Sequence, residues 1–127
     1  MNSDSLDKKL KQLKIEDFIW LIYIGIIFMS WYANSLEKSY FVYNDLKSKV
    51  NYRRVMILIF SILIVVYLYF LKDSYDDLKD LNECDSCNKK DLTRLSFLGS
   101  LLIAISGFIF LYIAIKDEEL DVELAFN

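Results

Sequence analysis

The chain has 127 residues, of which 55% are hydrophobic, and a formal net charge of −3 at pH 7. This length accommodates one domain, and the lack of a basic field gives no support for nucleic-acid binding. Histidine, the commonest general base and metal ligand, is absent, and no glycine-rich phosphate-binding motif occurs. We therefore expect no enzyme, no catalytic residue and no cofactor.

Residues 1–17 are charged and polar. Leu6, Leu10 and Leu13 recur on one face of a helix, with lysines elsewhere on the wheel. This pattern predicts a short amphipathic helix that lies on lipid headgroups, and a frayed polar tail is the alternative. The apolar run that follows is longer than the hydrophobic region of a signal peptide and contains Trp and Tyr, so we expect an uncleaved anchor.

Three stretches, residues 18–36, 55–71 and 95–115, contain no charged side chain, and all Lys, Arg, Asp and Glu lie outside them. A charge at the centre of a bilayer costs about 3 kcal/mol or more, and a spanning helix needs about 17–25 residues. The pattern therefore predicts three transmembrane helices. A soluble bundle, the alternative, would keep a polar face at helical spacing, and these stretches have none.

The best break between the first two stretches is Asn44-Asp45, because both residues favour turns and Asp45 can cap a helix. The first helix is therefore predicted to reach about Tyr43, and the second to begin near Leu46.

The second helix is predicted to project beyond the bilayer to about Leu81. A turn over residues 82–88 follows, and Asp91 is a plausible N-cap for the third helix. The tail, residues 117–127, is acidic. The predicted fold is a single-domain, all-α membrane protein over residues 1–127. It comprises three antiparallel transmembrane helices in an up-down-up bundle, with helices 2 and 3 extending beyond the bilayer on one side.

Basic residues and aromatic residues bear on topology. The N-terminal segment and the second connection together hold nine Lys and Arg, against six in the first connection and the tail. The positive-inside rule then predicts a cytoplasmic N-terminus and an external C-terminus in the cell membrane. Amphipathic rings suited to anchoring at the two interfaces are Trp20, Trp31, Tyr32, Tyr67, Tyr69 and Tyr112.

Small residues recur near every fourth position of the third stretch. They are Ser96, Gly99, Ser100, Ala104 and Gly107. Small side chains allow two membrane helices to approach closely and gain van der Waals contact. We predict a helix-packing interface here. Its partner is either another span of the same chain or a separate membrane protein.

Two further patterns bear on metal or redox chemistry. Cys84 and Cys87 form a CxxC motif, which serves elsewhere as a redox pair or half a zinc site, but no second CxxC or histidine completes it. A structural role, a metal at an oligomer interface and a disulfide therefore stay open. Asp73, Asp76, Asp77 and Asp80 share one helical face, which is typical of a solvated surface. We expect no metal site, and the two cysteines are the weak candidates.

The leading functional hypothesis is an accessory or interaction subunit that lies in the lipid bilayer and binds another membrane protein. The alternatives are a homo-oligomeric pore or carrier for ions or small solutes, and a bacterial immunity or stress-type membrane protein. High Ile, Lys, Asn and Tyr content resembles the bias of an AT-rich bacterial genome.

Overall fold

A computed structural model describes residues 3–120, which form three α-helices and no strand. The helices are α1 (Ser3–Tyr43), α2 (Leu46–Lys79) and α3 (Cys87–Lys116). Two of them, α2 and α3, are long and apolar enough to cross a membrane. The all-helical prediction is confirmed.

The first helix is continuous over 41 residues, which corresponds to about 60 Å. Neither proline nor glycine occurs in it before Gly25, so nothing interrupts its hydrogen-bond ladder at the boundary between the charged segment and the apolar stretch. Residues 3–17 are helical, as predicted, but the prediction of a short helix is wrong, because they are the first four turns of α1.

The turn between α1 and α2 consists of Asn44 and Asp45, as the sequence predicts. Asn44 has a φ of 54°, a left-handed conformation that asparagine tolerates better than most residues. The Asp45 carboxylate caps α2, accepting hydrogen bonds from the Lys47 backbone N–H at 3.1 Å and from Ser48 Oγ at 2.8 Å. The Ser48 bond is the main reason that the pKa of Asp45 lies below its ordinary value.

The turn between α2 and α3 is longer, and α3 begins earlier than predicted. Ser86 is its N-cap, with Oγ accepting from the Lys89 backbone N–H at 3.1 Å. The prediction of Asp91 as the cap is wrong, because Asp91 lies inside α3 and pairs with Arg94 at 3.7 Å. A serine hydroxyl satisfies a free N–H of the first turn as well as a carboxylate does, so the helix extends back to the first available cap.

The second helix lies at the centre, and both α1 and α3 pack against it. Neighbouring helices run antiparallel, since Gln12 of α1 contacts Asp73 near the end of α2, and Arg53 near the start of α2 contacts Ile115 near the end of α3. The largest fully buried side chains all belong to α2: Met56, Ile59, Phe60 and Leu63. The core is therefore organised around the middle helix.

One end of the three-helix assembly is closed. Met56 and Ile59 are fully buried there beneath Ala33 of α1 and Ala114 of α3, which belong to the same apolar cluster. The alanines leave room for the larger side chains of α2, because a methyl group lets two helix backbones approach closely.

Candidate functional site

A groove opens between the three helices at the opposite end, where α1 begins. It has a volume of about 270 Å³, and a second hollow of about 410 Å³ continues it along α2 and α3 toward their turn. Side chains from each helix line the groove: Tyr23 from α1; Tyr67, Phe70, Asp73, Ser74 and Asp77 from α2; Ser96, Ser100 and Ile103 from α3. Carboxylates, hydroxyls and aromatic rings of three helices thus meet on one concave surface.

A seven-residue repeat places Asp73 against α1. On α1 the repeat comprises Gln12, Ile19, Ile26 and Ala33, and on α2 it comprises Tyr52, Ile59, Val66 and Asp73. This spacing keeps side chains on the facing sides of two helices that wind around each other. Six of these residues are buried, and the two remaining polar ones meet at the groove. There Gln12 Nε2 donates a 2.6 Å hydrogen bond to Asp73 Oδ2.

A pair of hydroxyls joins α2 to α3 along the groove wall. Ser74 Oγ and Ser100 Oγ lie 2.9 Å apart, and Ser74 is 8% exposed. One hydrogen bond between two hydroxyls uses one O–H, so the other O–H keeps its donor capacity. The pair therefore holds the two helices together and offers a donor to whatever occupies the groove.

Close packing of α3 on α2 depends on Gly107. A Cβ at this position would lie 3.0 Å from Cδ2 of Tyr67 and 3.3 Å from Cγ1 of Ile64. Ala104, one turn earlier, is buried in the same contact. The glycine therefore makes the space in which the ring of Tyr67 lies, and the same ring lines the groove.

The predicted small-residue interface is divided between two environments. Ser100 bonds to Ser74 of α2, Ala104 is buried, and Gly107 lies against Tyr67. Ser96 is exposed and lines both hollows. Gly99 has nothing within 4 Å of the position of a Cβ. Three of the five residues therefore meet α2 of the same chain, whereas Ser96 and Gly99 do not pack against a helix.

The groove carries two carboxylates without an ion pair, because Lys89, which lines the second hollow with Asp77, pairs with Asp85 instead. Within residues 3–120, no Lys or Arg forms an ion pair with Asp73 or Asp77. Burial, followed by the charge of Asp77, raises the pKa of Asp73 above its ordinary value, while the hydrogen bond from Gln12 opposes that rise. The electrostatic environment of the groove thus favours an added proton or cation.

The four aspartates predicted to share a helix face occupy different places. Asp73 and Asp77 line the groove, Asp76 is exposed outside it, and Asp80 is the C-cap of α2. No group of three or more Cys, Asp or Glu suited to a metal ion occurs within residues 3–120. A stable divalent-cation site requires more ligands than two neighbouring carboxylates supply.

The two cysteines lie in and just after the α2–α3 turn. Cys84 precedes the N-cap of α3 and Cys87 is the first helical residue; both are exposed and free. The turn is held by the Asp85 carboxylate, which accepts from the Asn82 backbone N–H at 2.8 Å and from Lys89 Nζ at 3.1 Å. These bonds lower the pKa of Asp85, with the backbone bond contributing most.

The predicted interface anchors differ in exposure. Trp20, Trp31, Tyr32 and Tyr112 point outward, with exposures of 55–72%. Tyr67 and Tyr69 are only partly exposed, and Tyr67 contributes to the α2–α3 contact described above. Four of the six aromatic residues therefore present their rings to the surroundings of the protein.

The closed end has a polar contact of its own. The Arg53 guanidinium donates a 2.6 Å hydrogen bond to the Ile115 carbonyl in the last turn of α3, and Lys49 pairs with Glu119 at 3.5 Å. A cation at a helix C-terminus satisfies free carbonyls and complements the helix dipole. Sequence patterns did not predict the contact of Arg53 with Ile115 or identify the groove residues Gln12 and Tyr23. For Gln12, the seven-residue repeat was the available signal.

No protein-family model, curated protein or solved structure matches this chain. The class of the protein therefore rests on its structure. It is an all-α protein of three helices, two of them apolar enough to span a membrane, with a polar groove at one end.

Proposed function

We propose that the chain is an integral protein of the cell membrane with three spans, residues 18–36, 55–71 and 95–115. The observation that carries this proposal is the exposure of its apolar side chains. Only 33% of the most apolar stretch of α2 and 17% of that of α3 are buried. A soluble protein buries the apolar face of its core helices, whereas a membrane protein presents such side chains to lipid.

The first helix supports a third span in the same way. Its charge-free stretch exposes large side chains along the side that faces away from α2, including Trp20, Leu21, Ile27, Phe28 and Trp31, each at least 62% exposed. An exposed surface of this kind is stable in hydrocarbon and aggregates in water.

Fractionation tests the membrane setting. The full chain should sediment with membranes, remain there after an alkaline carbonate wash, and require detergent for extraction. A protein that stays monodisperse in buffer without detergent would contradict the proposal.

The proposed orientation has the N-terminus and the α2–α3 turn in the cytoplasm and the C-terminus outside. Cys84 and Cys87 are exposed and are the two cysteines of the chain, so they report on this turn without a mutation. A membrane-impermeant maleimide should label them in inverted vesicles and not in intact cells. A Cys84→Ser, Cys87→Ser, Asn44→Cys variant should show the reverse, since Asn44 is exposed in the other turn. The opposite labelling would invert the topology.

Within the membrane, we propose an accessory role in which the protein binds another membrane protein through the outer faces of α1 and α3. Gly25 and Gly99 have nothing within 4 Å of the position of a Cβ, so a helix of a partner can approach the backbone closely at both. The remaining small residues are less suitable, because Ser100, Ala104 and Gly107 meet α2.

Cross-linking in native membranes followed by mass spectrometry tests this role. Gly25→Leu and Gly99→Leu should each reduce the yield of the cross-linked partner while leaving the helical content unchanged. Ser61→Leu is the matched control, since Ser61 is exposed on α2 and its hydroxyl bonds to the Ile57 carbonyl of its own helix. Equal yields from all variants, or no partner in the wild type, would contradict the accessory role. Cross-links solely between copies of the chain would favour the oligomeric pore.

A further inference from the structure

The groove contains two kinds of group that lack a partner, namely carboxylates without a cation and hydroxyl donors without an acceptor. Asp73 and Asp77 have no basic partner within residues 3–120, and both face the same concave surface. On the α3 side of that surface, the Ser74–Ser100 pair keeps one O–H free to donate, and the exposed hydroxyl of Ser96 lies at the same wall. A cation would pair with the carboxylates, and an oxygen acceptor would accept the hydrogen bonds of the hydroxyls.

The position of the groove limits where such a ligand comes from. Asp73 and Asp77 follow shortly after the charge-free stretch of α2, whereas Phe70 and Ile103 lie within the charge-free stretches of α2 and α3. The groove therefore crosses the boundary between the apolar segments and the charged helix ends. In the membrane setting of the proposed function, that boundary lies in the headgroup region, where lipid headgroups are the most abundant molecules available for binding.

We propose that the groove binds the headgroup of an aminophospholipid. Its primary ammonium group lies against Asp73 and Asp77, its phosphate and ester oxygens accept from the serine hydroxyls, and its acyl chains follow the apolar surface of Phe70 and Ile103. The inference rests on the proposed membrane setting. It names a ligand for a site to which the accessory role assigns none.

Other headgroups satisfy fewer of these groups. A phosphatidylglycerol headgroup is anionic and has no ammonium group, so the two carboxylates repel it. A choline headgroup carries a positive charge but no N–H, and cannot donate a hydrogen bond to a carboxylate. A bare divalent cation would leave the hydroxyl donors unused and lacks enough carboxylate ligands.

Native mass spectrometry of the full chain, extracted in mild detergent, tests the proposal. An equimolar mixture of phosphatidylethanolamine, phosphatidylcholine and phosphatidylglycerol with identical acyl chains is added, and retained lipid is counted. We expect phosphatidylethanolamine to be retained preferentially. Asp73→Asn combined with Asp77→Asn should reduce its retention about tenfold, the size expected for losing a charge-assisted hydrogen bond. Asparagine at position 73 still accepts the bond from Gln12, so the fold is kept.

Asp76→Asn is the matched control, because Asp76 lies on the same helix but outside the groove. It should leave retention unchanged. Equal retention of the three lipids, or an equal loss with Asp76→Asn, would overturn the proposal. Displacement of the lipid by soluble phosphoethanolamine at the same concentration would overturn it in favour of a free solute. A chain that needs no detergent would refute the membrane setting, whereas one that needs detergent and binds all three lipids equally would refute the lipid site alone.

Discussion

The two ends of this three-helix assembly have opposite characters although the same helices form both. At one end, Ala33 and Ala114 bring α1 and α3 onto Met56 and Ile59, which are fully buried. At the other end, the helices leave an open groove, which Tyr67 and Asp73 of α2 both line.

The difference shows how one helix repeat can specify two environments. The seven-residue spacing continues along α1 and α2 from end to end, so the geometry of contact is shared. Where the repeat presents Ala33 and Ile59, the helices close. Where it presents Gln12 and Asp73, a hydrogen bond of 2.6 Å replaces apolar contact and polar groups line the gap. The identity of the side chain at each repeat decides which end is packed and which is accessible.

The largest difference between the ends is expected from truncating an apolar side chain. Met56 is 0% exposed at the closed end, whereas Ile103 is 50% exposed at the groove. Met56→Ala should lower the free energy of unfolding by about 2–5 kcal/mol, as buried truncations do. Ile103→Ala should lower the free energy of unfolding by less than about 1 kcal/mol, because half of this side chain is already exposed. Unfolding in mixed detergent micelles, followed by circular dichroism, measures both. Equal losses would remove the distinction between the ends.

A smaller effect is expected from enlarging a glycine of α3. Gly107→Leu places a side chain against Tyr67 and Ile64, and should cost about 1–3 kcal/mol through overpacking. Gly99→Leu is the matched control and should be close to neutral, because its surroundings are open. Adding Tyr67→Ala to Gly107→Leu should restore part of the loss. The same unfolding assay checks these values, and a destabilising Gly99→Leu would contradict the assignment of the α2–α3 contact.

Removing the polar contact at the closed end should lower the free energy of unfolding by a still smaller amount. Arg53→Met deletes the hydrogen bond to the Ile115 carbonyl and should lower stability by about 1 kcal/mol. Arg54→Met is the neighbouring control, since Arg54 is exposed, and should change stability by less than about 0.5 kcal/mol. If both variants lose the same amount, the cause is the loss of positive charge and not the contact with α3.

The smallest effect is expected at the groove, where substitution of Asp73 should change the pH dependence of stability. The pKa of Asp73 is raised in the folded protein, chiefly by burial, so the folded state holds this proton more tightly than the unfolded state. The contribution to stability is complete below the ordinary aspartate pKa and is lost as the pH rises through the raised value. Asp73→Asn should therefore flatten the profile in the pH range above the ordinary aspartate pKa. A profile identical to that of the wild type would show that Asp73 does not titrate with a raised pKa.

Much of the helical framework was predictable from the sequence. Charge-free stretches and turn residues located the helices, and the Asn44-Asp45 turn matched because both residues act locally. The start of α3 was not predictable, since Ser86 and Asp91 are both acceptable N-caps and the choice between them depends on the whole turn. The short N-terminal helix was expected from the spacing of Leu6, Leu10 and Leu13, but such spacing identifies a face of a helix and does not show where the helix ends.

The groove was harder to predict because it depends on pairing between distant residues. The aspartates appeared in the sequence as one solvated face, yet packing separates Asp73 and Asp77 from Asp76. The small residues of α3 indicated close helix packing, but spacing does not say which helix they meet. Tyr23 and Ser100 line the same groove because of the register of three helices, which local patterns do not encode.

The unbroken course of α1 makes its first turns and its groove-lining segment one mechanical element. Gln12, in its charged segment, and Tyr23, at the groove, lie on a single stretch of helix without a hinge. A partner or surface that displaces the turns ahead of Gln12 is therefore expected to move Tyr23 with them and to change the width of the groove. We expect displacement of the N-terminal turns and access to the groove to be coupled.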